Sequence, residues 1–171
     1  MIPFWTSVNE AILAQGDLLS GCRVPVLPLD FDVSDRTTAE LDQADLIIVT
    51  QSCDLANFKA GFVALCPIHS ITRFEEVNPH FRKKGHWEQV RRGRVEGLHL
   101  LASPHDPADN RQALVVDFRQ IYSLPFDYLS RHAAAIGNRH RLESPFLEHF
   151  SQAFARFFMR VGLPSSIPAY D

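Results

Sequence analysis

The amino-acid sequence predicts a protein of the α+β class, in which a small barrel of short strands is accompanied by one amphipathic helix. Several short apolar runs lie between long polar stretches, a pattern typical of small sheets and barrels. Apolar residues recur every three or four positions over 145–161, which indicates the helix. The length of 171 residues predicts one domain, 1–171, with the barrel at about 16–125.

The composition excludes several classes of protein. Hydrophobic residues make up 46% of the chain and charged residues 22%, which excludes a wholly disordered protein. No run approaches about 18 apolar residues, so no membrane contact is expected. The first residues lack the pattern of a signal peptide, and an odd number of cysteines, three, argues against a disulfide framework. We therefore expect a cytoplasmic protein with no cofactor.

The first third of the chain predicts a helix followed by an edge strand. Ser7 and Glu10 have the spacing of a capping box, so a short helix is expected over 7–15, ending at Gly16. Residues 16–27 are expected to form a strand or hairpin, which Pro25 confines to the edge of a sheet.

The next segments predict a loop and two buried strands. Residues 28–45 are acidic and weakly apolar, so we expect a long loop with at most one extended stretch. The continuous β-branched run at 46–50 predicts a strand buried on both faces. A second buried strand is expected over 62–68, broken by Pro67.

The second half of the chain predicts three further strands before the helix. Their apolar runs lie at 98–101, 113–118 and 121–124. The helix is expected to begin after Ser144 as its cap and to end at Gly162. Its apolar stripe is expected to seal one opening of the barrel, and it consists of Leu147, Phe150, Phe154, Phe157, Phe158 and Val161.

Five segments follow one another in an order that resembles a known family. They are a Gly-Asp-apolar strand start, a buried strand entering a polar loop, a strand ending in Pro and then a hydroxyl residue, a late strand with an Asp, and a C-terminal helix. The segments are, in order, Gly16-Asp17-Leu18-Leu19, 46–57, 62–70, 115–121 and 145–161. This order is similar to that of the MazF/PemK plasmid-maintenance toxins.

The resemblance implies a fold, an activity and partners. It implies an SH3-like barrel that forms a homodimer, cleaves single-stranded RNA without a metal ion, and acts in a toxin–antitoxin or defence setting with an antitoxin or other regulatory protein as partner. The family places Arg-Pro ahead of its second strand, where this chain has Gln43-Ala44-Asp45. An arginine from the insertion at 72–94, such as Arg94, is the candidate for the missing charge. The other insertion covers 28–43.

A polar run directly follows the strand predicted at 46–50. Asp54 and Cys53 are candidate catalytic residues there, with Gln51 and Ser52 as loop support, because loops held by rigid strands commonly carry functional side chains. Cys53 paired with His69 would make a cysteine-dependent enzyme. The alternative is a structural turn, in which Asp54 binds local backbone amides and Cys53 packs as a small apolar residue.

His69 is the most chemically versatile candidate. Its ordinary pKa near 6.5 suits a general base that activates a ribose hydroxyl, and Ser70 matches the hydroxyl residue of the resembled family. Cys66 and His69 also have the spacing of half a zinc site, which Cys53 and either His80 or His86 would complete. Only one such pair exists, so no metal is predicted.

The segment 80–94 interleaves basic and aromatic residues. Basic side chains can neutralise phosphates, and aromatic rings can stack on unpaired bases. Solvated basic loops are also common in proteins that bind no nucleic acid. The candidate nucleic-acid-binding residues are Arg82, Lys83, Lys84, Trp87, Arg91 and Arg92, with Phe81 as a further stacking ring.

The net charge of −3 is the sum of two opposed blocks. Residues 1–55 contain 2 basic and 9 acidic residues, so 2 − 9 = −7, and residues 56–171 contain 15 and 11, so 15 − 11 = +4. Local potential rather than net charge attracts a polyanion. The sequence therefore favours a nucleic-acid-acting protein whose phosphate contacts come from the second block. A non-catalytic module that binds nucleic acid or protein remains the alternative.

Overall fold

The computed structural model describes residues 3–26, 40–57 and 59–159. Within these residues it confirms the α+β class, with eight strands in two sheets and five α-helices. All of the strand pairings between these elements are antiparallel. None of the helices in the described ranges is long and apolar enough to cross a membrane.

The elements have the following bounds. The strands are β1 (Trp5–Val8), β2 (Leu18–Val26), β3 (Glu40–Ile48), β4 (Phe62–Ser70), β5 (Leu98–Leu101), β6 (Leu114–Asp117), β7 (Tyr122–Pro125) and β8 (Arg139–Leu142). The helices are α1 (Ser52–Ala56), α2 (Ile71–Val77), α3 (His86–Arg91), α4 (Phe126–Ile136) and α5 (Phe146–Phe158). Two 3-10 turns cover Pro79–Arg82 and Asn110–Gln112.

The larger sheet is built around β4. Its strand order is β2-β3-β4-β6-β5, and β7 pairs with the first half of β4. The strands β1 and β8 form a separate ribbon, joined to the start of β2 by an isolated bridge between Asp17 and Arg141. Among the described residues the outer strands β2 and β5 are not paired with each other, so the sheet is open there.

Pro67 does not break its strand, contrary to the sequence prediction. β4 continues through it to Ser70, and Pro67 lies opposite Leu46 of β3. Pairing with β7 ends at Leu65 and pairing with β6 begins at Ile68. Pro67 therefore falls between these two segments, where the missing amide donor interrupts neither of them.

The predicted acidic loop is partly strand. Residues 40–45 belong to β3, where Glu40 pairs with Val26 and Asp42 with Val24 of β2. Their side chains are mostly exposed, so acidic residues cost little on this part of the strand. The buried half of the strand, from Leu46 onwards, is where the sequence prediction placed it. The rest of the predicted loop, 27–39, lies outside the described residues.

The predicted helix over 7–15 is wrong. Ser7 belongs to β1 and lies opposite His140 of β8, and no helix forms in the following residues through 15. The backbone oxygens of Glu10 and Ile12 accept hydrogen bonds from the guanidinium of Arg139 at 2.7 Å each. These tertiary contacts use carbonyls that a helix would have paired within itself.

Two apolar cores lie on opposite faces of the central strands. One contains Val63 and Leu65 with residues of α4, and the other contains Cys66 and Ile68 with residues of α5. The alternation follows the two-residue period of a strand. The helix α4 and the strand β8 were not expected from the sequence.

The helix α5 is confirmed, but its predicted cap is wrong. Its N-cap residue is Pro145, without a side-chain cap; the amides of Phe146 and Leu147 instead bind the backbone oxygen of Glu143 at 2.8 and 3.0 Å. Phe150 is fully buried, whereas Phe158 is 52% exposed. The predicted stop at Gly162, together with Val161, lies outside the described residues.

Candidate functional site

The described residues enclose a groove of about 1060 Å³. Its lining residues come from β2, β3, the end of β4, the start of α2, and the segments 103–114, 120–122 and 136–140. Its side chains suited to phosphate or proton chemistry are His69, Ser70, Arg73, His105, Arg111 and His140. The groove therefore collects residues that are far apart in the sequence.

His69 reaches the groove because it follows the core segment of β4. Cys66 points into the core beside α5, and an odd separation along a strand turns His69 to the other face. The two candidate ligands of the zinc half-site therefore point apart. Burial raises the pKa of the Cys66 thiol to about 12, so this sulfur is a core group.

The surroundings of His69 favour the neutral form of its imidazole. It is half-buried and lies 6.1 Å from the ring of Phe74, and burial lowers its pKa. The carboxylates of Asp117 and Asp45 act in the opposite direction, and Arg73 adds to the lowering. Within the described part of the chain, no side chain or backbone group forms a hydrogen bond with this ring.

Ser70 has a structural role at the start of α2. Its hydroxyl oxygen accepts a hydrogen bond from the backbone amide of Arg73 at 3.1 Å, which caps the helix. The cap fixes the turn that leads from His69 to Arg73. Ser70 therefore supports the groove through its neighbours, and the structure adds no contact that would make it a nucleophile.

Two arginines with exposed guanidinium groups line the groove. The side chain of Arg73 is 71% exposed and forms an ion pair with Glu76 at 2.8 Å. The side chain of Arg111 is 65% exposed and donates from both terminal nitrogens to Glu75 at 3.2 and 3.3 Å. Each guanidinium has donors beyond those its carboxylate uses, so each can also bind a phosphate.

The carboxylate of Glu75 holds the guanidinium of Arg111 in position. Glu75 is a buried residue, and its carboxylate also accepts a hydrogen bond from the indole nitrogen of Trp87 at 2.8 Å. Hydrogen bonds from Arg111 and then from Trp87 lower the pKa of Glu75. The carboxylate is therefore charged at neutral pH and holds Arg111 in one place.

Two more imidazoles line the groove. His105 belongs to the loop after β5 and His140 to β8, and their ring centroids lie 5.6 Å apart in an edge-to-face arrangement. Burial, and then the proximity of His105, lowers the pKa of His140. In the described residues, neither ring forms a hydrogen bond.

The groove also contains acidic and buried charged residues. Asp42 and Asp45 of β3 line it, and an oxygen of Asp45 accepts a hydrogen bond from the backbone amide of Gly21 at 2.8 Å. Arg139 lines it as well, but its side chain is 1% exposed and is paired with Asp17 at 3.0 Å. The exposed positive charge therefore comes from Arg73 and Arg111.

The polar run at 51–54 lies elsewhere. It forms the start of α1, where the Ser52 hydroxyl accepts a hydrogen bond from the backbone amide of Gln15 at 3.0 Å. Cys53 is exposed, and its sulfur lies 3.6 Å from an oxygen of Gln51. Neither Cys53 nor Asp54 is among the lining residues of the groove. The structure thus does not bring them together with His69 in that groove.

Two arginines of the basic segment share one acidic partner. Arg91 and Arg92 both bind Glu88 at 2.7 Å, and their hydrogen bonds lower the pKa of Glu88 to about 2. Phe81 is buried and packs 5.0 Å from the ring of Trp87, so Phe81 is not available for stacking. All of the cations of this segment are exposed, namely Arg82, Lys83, Lys84, Arg91, Arg92 and Arg94.

No residue of 82–94 lines the groove. The composite site that combines His69 with Arg94 is therefore not assembled there. Contact between nucleic acid and the exposed cations of this segment stays a prediction. Arg82 lies close enough to Glu75 to lower its pKa. This end of the segment therefore lies near the carboxylate that holds Arg111.

No family model and no curated protein matches this sequence. The function is therefore inferred from the residues of the groove. Sequence reasoning missed Arg111, His105 and His140 as members of one site. Their only local signals were a polar turn around 103–111 and a basic cluster at 139–141, and neither signal tells which residues meet.

Proposed function

We propose that the protein binds single-stranded RNA in the groove and cleaves it as an endoribonuclease. The observation that carries the proposal is the presence of His69 in one groove with two exposed arginines, Arg73 and Arg111. A neutral imidazole can accept the proton of a ribose 2′-hydroxyl. Guanidinium groups can stabilise the charge that develops on the attacked phosphate.

The chemistry is a transfer within the substrate. His69 takes the proton from the 2′-hydroxyl, and the oxygen attacks the adjacent phosphorus. The bond to the 5′-oxygen breaks, leaving a 2′,3′-cyclic phosphate on one fragment. The 5′-oxygen takes a proton from a general acid or from solvent and becomes the 5′-hydroxyl of the other fragment. Positioning of the two reacting groups contributes part of the rate.

We also propose a distant relationship to the MazF/PemK toxins, supported by the order of the elements along the chain. Gly16 and Asp17 precede a strand, β4 is central, β6 carries Asp117, and α5 follows. The open sheet is the main departure from the SH3-like barrel of that family. A homodimer and a regulatory partner of the antitoxin type would follow from this relationship.

The test uses a long single-stranded RNA in the presence of EDTA. We expect cleavage with cyclic phosphate ends, and no cleavage of DNA of the same sequence, which lacks the 2′-hydroxyl. His69→Gln should lower the rate by a factor of about 10² to 10⁴, the range of general base catalysis. Thermal unfolding of the variant confirms that the fold is retained.

A binding module without catalysis is the second candidate. Arg73 and Arg111 each already have a carboxylate partner, and Asp42 and Asp45 also line the groove, which weakens its attraction for phosphates. Intact RNA after incubation with wild-type protein, together with binding that weakens steeply as salt rises, would favour the module.

A cysteine-dependent enzyme is the third prediction from the sequence. Cys53 is exposed, and among the described residues its sulfur has a hydrogen-bond contact with the side-chain oxygen of Gln51 rather than with an imidazole. Thiol alkylation measured against pH tests it: a Cys53 that reacts with an ordinary pKa near 8.5 would remove its main support.

A further inference from the structure

The two imidazoles of His105 and His140 meet across 35 positions of sequence. Their centroids lie 5.6 Å apart at an angle of 88°, and both residues line the groove that contains His69. His105 is exposed and His140 is half-buried. Since neither ring has a hydrogen-bond partner among the described residues, both keep their nitrogens for a substrate or for solvent.

A shared support, Trp5, helps to hold the two rings in place. His140 is fixed by β8, where it lies opposite Ser7 of β1, and its ring lies 6.3 Å from that of Trp5. Trp5 also donates from its indole nitrogen to the backbone oxygen of Ala102 at 2.8 Å. The same buried side chain therefore contacts the ring of His140 and fixes the start of the loop that carries His105.

The loop itself has a defined turn. The buried Ser103 hydroxyl accepts hydrogen bonds from the backbone amides of His105 and Asp106, at 3.2 and 3.1 Å. Leu101, just before the loop, is separated from Ser70 by one strand, because both residues pair with Leu114. Two strand spacings of about 4.8 Å each place them roughly 10 Å apart, so the loop starts close to His69.

The proposed cleavage needs a second proton transfer. The 5′-oxygen leaves as a strongly basic alkoxide unless a general acid protonates it as its bond to phosphorus breaks. His69 acts as the base in that reaction and cannot also be the acid in the same step. A proton donor at the other end of the reacting phosphate is therefore required.

Resting on the proposed ribonuclease activity, we infer that His105 is the general acid of the groove and that His140 is its positioning residue. His69 accepts the proton of the 2′-hydroxyl, the O2′–P bond forms, and the P–O5′ bond breaks. His105 gives its proton to the departing 5′-oxygen. The products are a cyclic phosphate, a 5′-hydroxyl, a protonated His69 and a neutral His105.

The assignment of roles follows from the surroundings of each ring. Because the two rings lie close together, protonation of both at once is unfavourable. The ring of His140 is the more buried of the two, and burial lowers its pKa. His105 lies in the more exposed position, so its ring is open to the leaving 5′-oxygen and can exchange protons with water. His140 presents a neutral ring against it.

The test varies the leaving group. One substrate is a single-stranded RNA, and the other is the set of four ribonucleoside 3′-(4-nitrophenyl) phosphates, whose 4-nitrophenolate leaves without protonation. His105→Gln should slow RNA cleavage by a factor of about 10² to 10⁴ and change cleavage of the nitrophenyl esters by less than about fivefold. His140→Gln should show the same selectivity with a smaller loss.

Matched controls separate this result from misfolding. His149→Gln removes an exposed histidine of α5 that does not line the groove, and it should leave both reactions unchanged. Thermal unfolding shows whether each variant is folded. His69→Gln should slow both substrates, because both need the base.

The outcomes distinguish the inference from the proposed function. If the wild-type protein cleaves both substrates and His105→Gln slows them equally, or slows neither, His105 is not the acid while the nuclease activity stands. If the wild-type protein cleaves neither substrate, the proposed activity and the inference are both overturned.

Discussion

Two sets of arginines near the groove differ in what surrounds their charge. Arg139 is buried, and its guanidinium binds Asp17 and the backbone oxygens of Glu10 and Ile12. Arg141 binds the same fully buried Asp17. Arg73 and Arg111 instead lie mostly in solvent, each with one acidic partner.

The difference separates structural charge from charge available to a ligand. A buried guanidinium, each of whose three nitrogens donates to a protein oxygen, joins β8 to the start of β2 and cannot turn toward a phosphate. An exposed guanidinium can exchange water for phosphate oxygens while keeping its partner. Lining a groove is therefore insufficient to identify a binding residue, because Arg139 lines the groove too.

The largest expected effect comes from the buried set. Asp17→Ala leaves Arg139 without its buried counter-charge, and we expect a loss of about 3–5 kcal/mol in the free energy of unfolding. Glu76→Ala, which removes the exposed partner of Arg73, should change it by less than about 1 kcal/mol. Urea unfolding measures both. Similar losses for the two variants would remove the distinction between the sets.

A substitution of Trp87 tests the hydrogen bond that this residue donates to Glu75, the partner of Arg111. Trp87→Leu keeps an apolar side chain but removes the hydrogen bond to Glu75, so we expect a stability loss of about 1–2 kcal/mol. The affinity for an RNA oligonucleotide should change by less than about threefold. A base stacked on Trp87 would instead add about 1–3 kcal/mol to binding, and its loss would show that the ring contacts RNA directly.

The pH dependence of cleavage probes His69. A general base acts in its neutral form, and burial lowers the pKa of His69, so the acid limb of the rate profile should lie below pH 6.5. Asp45→Asn removes a charge that raises this pKa, and the acid limb should move to still lower pH. Asp42→Asn, another substitution in the groove, should leave it in place. An acid limb above 6.5 would exclude His69 as the base.

Parts of the fold were predictable because local patterns agreed with tertiary structure. The apolar run at 46–48 became the buried half of β3, and the helical spacing of Leu147, Phe150 and Phe154 became α5. The helix predicted from the capping box of Ser7 and Glu10 does not form, because strand pairing with β8 and the guanidinium of Arg139 compete with it. Local sequence cannot reveal a partner 130 positions away.

The candidate site was predictable only in part for the same reason. His69 could be chosen from its position at the end of an apolar strand. Strand order and the contacts of Trp5 and Glu75 bring three further lining residues to the groove, namely Arg111, His105 and His140. The basic segment 82–94 had the stronger pattern, yet Glu88 pairs with two of its arginines.

The central claim is that the groove, through Arg73 and Arg111, is the surface that binds RNA. Its most direct test is a salt titration of binding to an oligonucleotide of 2′-O-methyl RNA, which cannot undergo 2′-hydroxyl attack. Arg111→Ala should weaken binding and reduce the slope of log K against log salt by about 0.7, the value for one phosphate contact on a single strand. Arg91→Ala, on α3 outside the groove, should change neither quantity. Equal effects of the two variants, or an effect of Arg91→Ala alone, would contradict the account.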